Sequence, residues 1–145
     1  MRALLQRVSA AQVKIDGQAV GTIDTGLLVL LGVDAGDDET TAAKLAQRTA
    51  EYRLFADAAG KMNRSLSECG GSLLVVPQFT LSADTRRGRR PSFASAASPH
   101  QAESLYEHFV SRCRERIATV ETGRFGANMQ VHSINDGPVT FLLRA

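Results

Sequence analysis

The stretch that most constrains this chain is an apolar run closed by a proline, Gly70-Gly71-Ser72-Leu73-Leu74-Val75-Val76-Pro77-Gln78-Phe79-Thr80-Leu81. It predicts a strand over residues 72–81. Leu73 to Val76 carries no polar residue at alternate positions, so this half must be buried on both faces. Pro77 has no N–H to give a ladder and belongs at a sheet edge or a bulge. Beyond it, Gln78 and Thr80 stand at i and i+2, which on a strand puts an amide and a hydroxyl on one face. Free backbone N–H groups beside them would make a wall for a site. The same residues also describe an ordinary polar strand end, and the stretch alone favours that plainer reading.

The rest of the chain is patterned around this strand. Leu4, Val8, Val13 and Ile15 sit among polar residues before Asp16-Gly17, a hairpin signal because both residues tolerate positive φ. Residues 18–24 return, and Leu27 to Val33 form a second apolar run, so the opening predicts a meander of three strands. Asp37-Asp38 supplies a cap and a negative first turn, and Ala42, Leu45, Ala46, Thr49 and Tyr52 keep helical spacing over residues 38–54. Residues 56–64 read as a loop around Gly60. Residues 82–98 look irregular. Ser98-Pro99 then caps a second helix, with Pro at its first position and a buried stripe at Ala102, Leu105, Phe109, Val110, Cys113 and Ile117, ending near Ala118. Strand segments at 119–123 and 129–134, a turn at Asn135-Asp136-Gly137 and a closing strand over 139–143 finish the chain. The expected fold is α+β: one domain over residues 1–145, a mostly antiparallel sheet curling toward a barrel, and two amphipathic helices.

Length permits a core without staples, since at about 150 residues a domain buries roughly two-thirds of its unfolded surface. Cys69 and Cys113 stand far apart at neither metal nor redox spacing, which points to free thiols in a reducing compartment. Met1 to Arg7 holds no apolar core of signal-peptide length, and no run approaches a bilayer span of about 20 residues. The expectation is a soluble, cytoplasmic protein with no membrane partner. A net charge of +2 is too small to argue for nucleic acid. Its distribution is uneven, because Arg86-Arg87-Gly88-Arg89-Arg90 places four arginines in five residues. Such a loop either grips phosphates or is simply solvated.

The usual nucleophile and metal signatures are missing. There is no G-x-S-x-G, C-x-x-C, H-E-x-x-H or Walker loop. His100, His108 and His132 stand at no ligand spacing, so neither metal nor cofactor is expected. Asn135-Asp136-Gly137-Pro138-Val139-Thr140 reads by composition as a turn. Its X–Pro bond is trans by default, cis being seen in only about 5–6% of such bonds.

Taken together, the residues resemble the D-aminoacyl-tRNA deacylases along the full length. The matching stretches are Gln6-Arg7-Val8, Leu28 to Val33, Gly60-Lys61-Met62-Asn63, Gln78-Phe79-Thr80-Leu81, Arg90-Pro91-Ser92-Phe93, Thr122-Gly123-Arg124-Phe125, Met129-Gln130-Val131 and Asn135 to Thr140. Gln-Phe-Thr-Leu followed at this separation by Gly-Pro-Val-Thr is the most specific of these. The resemblance implies a homodimer with two active sites at its interface and an aminoacylated tRNA bound by its 3′ terminal adenosine. It implies hydrolysis of the ester of a D-amino acid, and of glycine mischarged on tRNA-Ala, to free amino acid and tRNA. Gln78, Phe79 and Thr80 would form the catalytic wall, with backbone N–H groups at Phe79 and Thr80 stabilising the oxyanion. Gly137 and Pro138, joined by a cis bond and inserted from the other subunit, would hold the substrate ammonium by two carbonyls. They would reject an L side chain by clash, with Arg7 propping them from behind. Met129 would line the adenosine pocket. Pro77 departs from the serine common in the family, losing a hydroxyl and a donor. A related tRNA deacylase family of relaxed chirality carries Pro-Gln-Ala-Thr there, and Phe79 and Arg7 align this chain with the D-specific family. The rival readings are a tRNA-end-binding module without catalysis, a deacylase of relaxed chirality, and a small-molecule esterase or amidase of the same fold.

Overall fold

The computed structural model describes residues 1–86 and 88–145. Strand β1 (Arg2–Ile15) reverses at Asp16 and Gly17, whose φ angles of 50° and 78° suit the tight turn the Asp-Gly pair predicts. Strands β2 (Gln18–Ile23) and β3 (Gly26–Gly32) follow. The expected meander needs correction, because β3 pairs with β1 and not with β2. β1 is long enough to serve both, offering residues 2–8 to β3 and 11–15 to β2. Its other edge is taken along most of its length by β8 (Gln130–Arg144).

The organising strand is β6 (Ser72–Pro77), parallel to β3, with β7 (Val120–Thr122) parallel to β6 in turn. Parallel neighbours need long crossovers, and helices supply them. Helix α1 (Glu39–Glu51) is capped by Asp38, whose carboxylate accepts from Thr41 N at 2.7 Å. Helix α3 (Pro99–Arg114) is capped by Ser98 with Pro99 in its first turn. It ends before the expected Ala118 because Arg116 N and Ile117 N both turn back to the Cys113 carbonyl. The loop predicted over 56–64 holds instead a small hairpin, β4 (Phe55–Ala56) with β5 (Met62–Arg64). A third helix not foreseen, α2 (Leu66–Cys69), follows under a Ser65–Glu68 capping box.

Both faces of β6 are buried, as its composition requires, and they face different cores. Leu73 and Val75 join Leu27, Val29 and Leu31 beneath α1 and α3, against Leu45, Phe109 and Cys113. Leu74 and Val76 point the other way, with Leu28, Val13 and Ile23, into the hollow of the curled sheet. The curl is tight enough that a Cβ on Gly21 of β2 would stand 2.8 Å from the Thr122 carbonyl oxygen of β7. No helix among the described residues is long and apolar enough to cross a membrane.

The two C-terminal strands and the turn predicted between them are one strand. β8 runs on through Asn135 to Thr140, taking up the extra residues as irregular register against Gln6, Val8 and Ala10 of β1. Four large apolar side chains along it are exposed, Val131, Ile134, Phe141 and Leu142, Ile134 by 63%.

Candidate active site

Strand β6 stops at Pro77, where the sequence predicted continuation to Leu81. β7 has already ended opposite Val75, so the proline faces no donor-seeking neighbour there. Gln78 N makes the last ladder bond, to the Leu31 carbonyl at 2.8 Å. The chain then winds into a 3-10 turn over Phe79–Ser82, with Leu81 N donating to Gln78 O and Ala83 N to Thr80 O, both at 3.2 Å. Gly32 permits this fold-back, since a Cβ there would meet Leu81 Cβ at 2.9 Å. Gln78 and Thr80 therefore do not share a strand face. They meet differently, Gln78 Nε2 donating to Thr80 Oγ1. The turn also does what a strand end could not. Its first N–H groups, those of Phe79 and Thr80, have no intrahelical acceptor, and among the described residues no other backbone carbonyl takes them. Among the described residues, the Thr80 hydroxyl has Gln78 as its side-chain hydrogen-bond partner.

A cleft of ≈ 530 Å³ opens beside the turn. Pro77, Gln78 and Phe79 form one wall, and Phe125 and Met129 another, with Tyr106 among the remaining lining. Gly123 makes room for the methionine, because a Cβ there would lie 2.7 Å from Met129 Sδ. Arg124 N approaches that sulfur at 3.4 Å. Tyr106 donates its hydroxyl to the Val75 carbonyl at 2.9 Å, and burial pushes its phenol well above the ordinary range. Tyr106 was not singled out from sequence, although it completes the helical stripe Ala102, Tyr106, Phe109 and Cys113. At the rim, Phe79 is 60% exposed and packs on Phe93 with ring centroids 5.1 Å apart and the planes tilted by 50°. Such an arrangement suits an apolar, planar group in the cleft with an oxygen directed at two N–H donors.

The remaining expected residues lie elsewhere. Gly137–Pro138 is cis, against the compositional default and in accord with the resemblance. Arg7 backs it: Nε donates to the Asp136 carbonyl at 3.2 Å and lies 3.1 Å from the Asp136 carboxylate, while Nη1 donates to Leu54 O at 2.7 Å. Asn135 Oδ1 accepts from Val139 N at 2.8 Å, closing the loop inside β8. Arg7, Gly137 and Pro138 do not line the cleft of their own chain. In the arginine loop, Arg86 is committed to Asp84 through Nε at 2.9 Å and Nη2 at 2.7 Å, and this pairing holds the Asp84 carboxyl far below the usual carboxylate range. Arg89 and Arg90 are exposed, and Arg87 lies outside the described residues.

A mixed sheet curled over its own core thus carries a cleft beside a turn whose first N–H groups are unpaired among the described residues. The chain belongs to the D-Tyr-tRNA(Tyr) deacylase family, whose model matches residues 4–144. With the family comes the enzyme class, a hydrolase of the aminoacyl-tRNA ester. The D-aminoacyl-tRNA deacylase of Pseudomonas aeruginosa is 59% identical over 145 residues, all of both chains. That of Escherichia coli O1:K1 / APEC is 56% identical over 144 residues, 99% of each. Among solved structures, a c-Myc DNA unwinding element binding protein superposes with a TM-score of 0.95 at 36% identity, over 100% of this chain and 99% of its own. A probable eukaryotic D-amino acid tRNA deacylase superposes at 0.85 with 17% identity, covering 99% of this chain and 98% of that one, a likeness of fold.

Proposed function

We propose that this chain, as one domain over residues 1–145 and as a homodimer in the cytoplasm, hydrolyses D-aminoacyl-tRNA and glycyl-tRNA-Ala and spares L-aminoacyl-tRNA. The observation that carries the reading is the pair of unpaired N–H groups at Phe79 and Thr80, in the turn whose first residue, Phe79, lines the cleft. The terminal adenosine enters between Pro77 and Met129, and the ester carbonyl oxygen points at the two amides. Water attacks the carbonyl carbon, and the negative charge collects on an oxygen already facing two fixed dipoles. The bond to the ribose oxygen then breaks, that oxygen takes one proton of the water, and the amino acid leaves as its carboxylate once the second proton passes to solvent. An aminoacyl ester is reactive enough for positioning and dipoles to suffice, so Thr80 acts through its amide rather than its hydroxyl.

Chirality is read by the backbone of Gly137 and Pro138 from the partner subunit. It lies outside the cleft of its own chain, it is exposed, and Arg7 holds it from behind. An L side chain would be driven into that backbone, a D side chain points away, and glycine offers nothing to reject. The exposed apolar side chains of β8 support the dimer, because Val131, Ile134, Phe141 and Leu142 flank the loop that must be delivered across an interface. Arg89 and Arg90 reach for phosphates of the tRNA. The test is hydrolysis of D-Tyr-tRNA, Gly-tRNA-Ala and L-Tyr-tRNA by the purified protein. Release from the first two and not the third is expected. Comparable release from D- and L-Tyr-tRNA contradicts chiral selection, and release from none makes the protein a tRNA-end-binding module.

A further inference from the structure

The 3-10 turn is short and its internal hydrogen-bond geometry is poor, so contacts at its ends help to fix its shape. Its start is tied by the Gln78 N bond to Leu31. Its far end is tied by a residue from the other end of the chain. Arg2 Nη1 donates to the Leu81 carbonyl at 2.7 Å, while Arg2 Nε donates to Asp34 Oδ2 at 3.1 Å. Asp34 is itself fixed, its N–H donating to Asp37 Oδ2 at 2.6 Å and its backbone bridging to Ala96. The guanidinium is thus a brace between an anchored carboxylate and the last turn of the element that presents the two free amides. Arg2 neither lines the cleft nor touches Phe79 or Thr80, and no motif in the sequence marks it.

We propose that Arg2, held by Asp34, is a positioning residue for hydrolysis: it fixes the Phe79–Ser82 turn so that the Phe79 and Thr80 amides meet the oxyanion. This rests on the reading of that turn as the oxyanion site. The brace requires two donors diverging from one planar group, which a guanidinium has and an ammonium lacks. Arg2→Lys keeps the charge and loses the geometry, and Arg2→Met loses both. A misplacement of about 1 Å at such a site can cost about 100-fold in rate.

The experiment measures kcat and KM on D-Tyr-tRNA, melting temperature, and backbone ¹⁵N order parameters of Phe79 and Thr80, for the wild type, Arg2→Lys, Arg2→Met and Asp34→Asn. The expected result is a kcat lowered by about 10-fold to 100-fold in Arg2→Met with KM within about twofold, and a smaller loss in Arg2→Lys and Asp34→Asn. Order parameters at Phe79 and Thr80 should fall from about 0.85 toward about 0.6 in the same rank order. A kcat that follows melting temperature, with the turn's order parameters unchanged, overturns the proposal by making Arg2 a general stabiliser. Unchanged kcat and unchanged order parameters overturn it too. A loosened turn with kcat intact overturns the turn as the oxyanion site, and the role of Arg2 with it. Should Arg2→Met fail to fold, Arg2→Lys and Asp34→Asn carry the same readouts.

Discussion

Cys113, on the buried face of α3, packs among Leu45, Phe109 and Ile117, and burial pushes its thiol up to about 12 from an ordinary value of 9.0. The sign follows from where the proton is held. Below pH 9 both folded and unfolded chains keep it. Between 9 and about 12 the unfolded chain releases it first, so stability falls as pH rises through that window. Cys113→Ala removes this linkage. The variant should be less stable than the parent at pH 8 because of the cavity, and denaturant titrations should show the gap narrowing from pH 9 upward. A gap independent of pH would contradict the assignment. Single residues were legible in the sequence to different degrees. Phe79, Gln78 and Met129 stand in the matching motifs, and the structure brings them to one cleft. Arg2 was not legible, since its role depends on a carboxylate 32 residues away and a carbonyl 79 residues away. No local pattern encodes such a pairing.

At the scale of elements, β6 was the most legible because burial on both faces leaves an unbroken apolar run. Leu74 is fully buried within the curl, where no helix can move in to fill a void. Leu74→Ala should cost about 3 kcal/mol by urea denaturation, and a loss under about 1 kcal/mol would mean that the hollow is loosely packed. What followed Pro77 was misread for a physical reason. Gln-Phe-Thr-Leu alternates polar and apolar as a half-buried strand does, but the alternation here comes from a 3-10 turn that buries Ser82 and exposes Phe79. The residue that decides between them is Gly32, on another strand, which leaves the space for the turn to fold back. The Asn135-Asp136-Gly137 turn was misread in the opposite sense. Its composition is that of a chain reversal, yet β1 pairs on both sides of it and Arg7 holds Asp136 in place, so the strand continues in its original direction.

At the scale of the molecule, two features point outward from the single chain. The arginine loop is not uniform, since Asp84 already occupies Arg86 while Arg89 and Arg90 stand exposed. If they bind phosphates, tRNA affinity falls with salt, and replacing either by Ala should reduce the slope of log affinity against log salt by about one. Arg86→Ala should reduce it less. A slope unchanged in all three variants would make the loop a solvated surface. The second feature is that the chain divides the expected site between two places. The cleft and its amides lie at the end of β6, while Gly137, Pro138 and Arg7 lie on the β1–β8 edge, outside that cleft. The proposed two-fold dimer would join them twice, each chain completing the site of the other.

Subunit complementation tests that division most directly. Phe79→Pro removes one of the two amides at the first position of the 3-10 turn, where a proline is tolerated. Gly137→Ala puts a Cβ 2.6 Å from Val139 Cγ2 at a φ of 131° and so displaces the chiral loop. Each variant alone should be folded, dimeric and inactive on D-Tyr-tRNA. After exchange, a heterodimer holds one site with both lesions and one with neither, so a random equal mixture should recover roughly a quarter of parental activity. Confirmed exchange with no recovered activity would place the whole site within one chain and contradict the account.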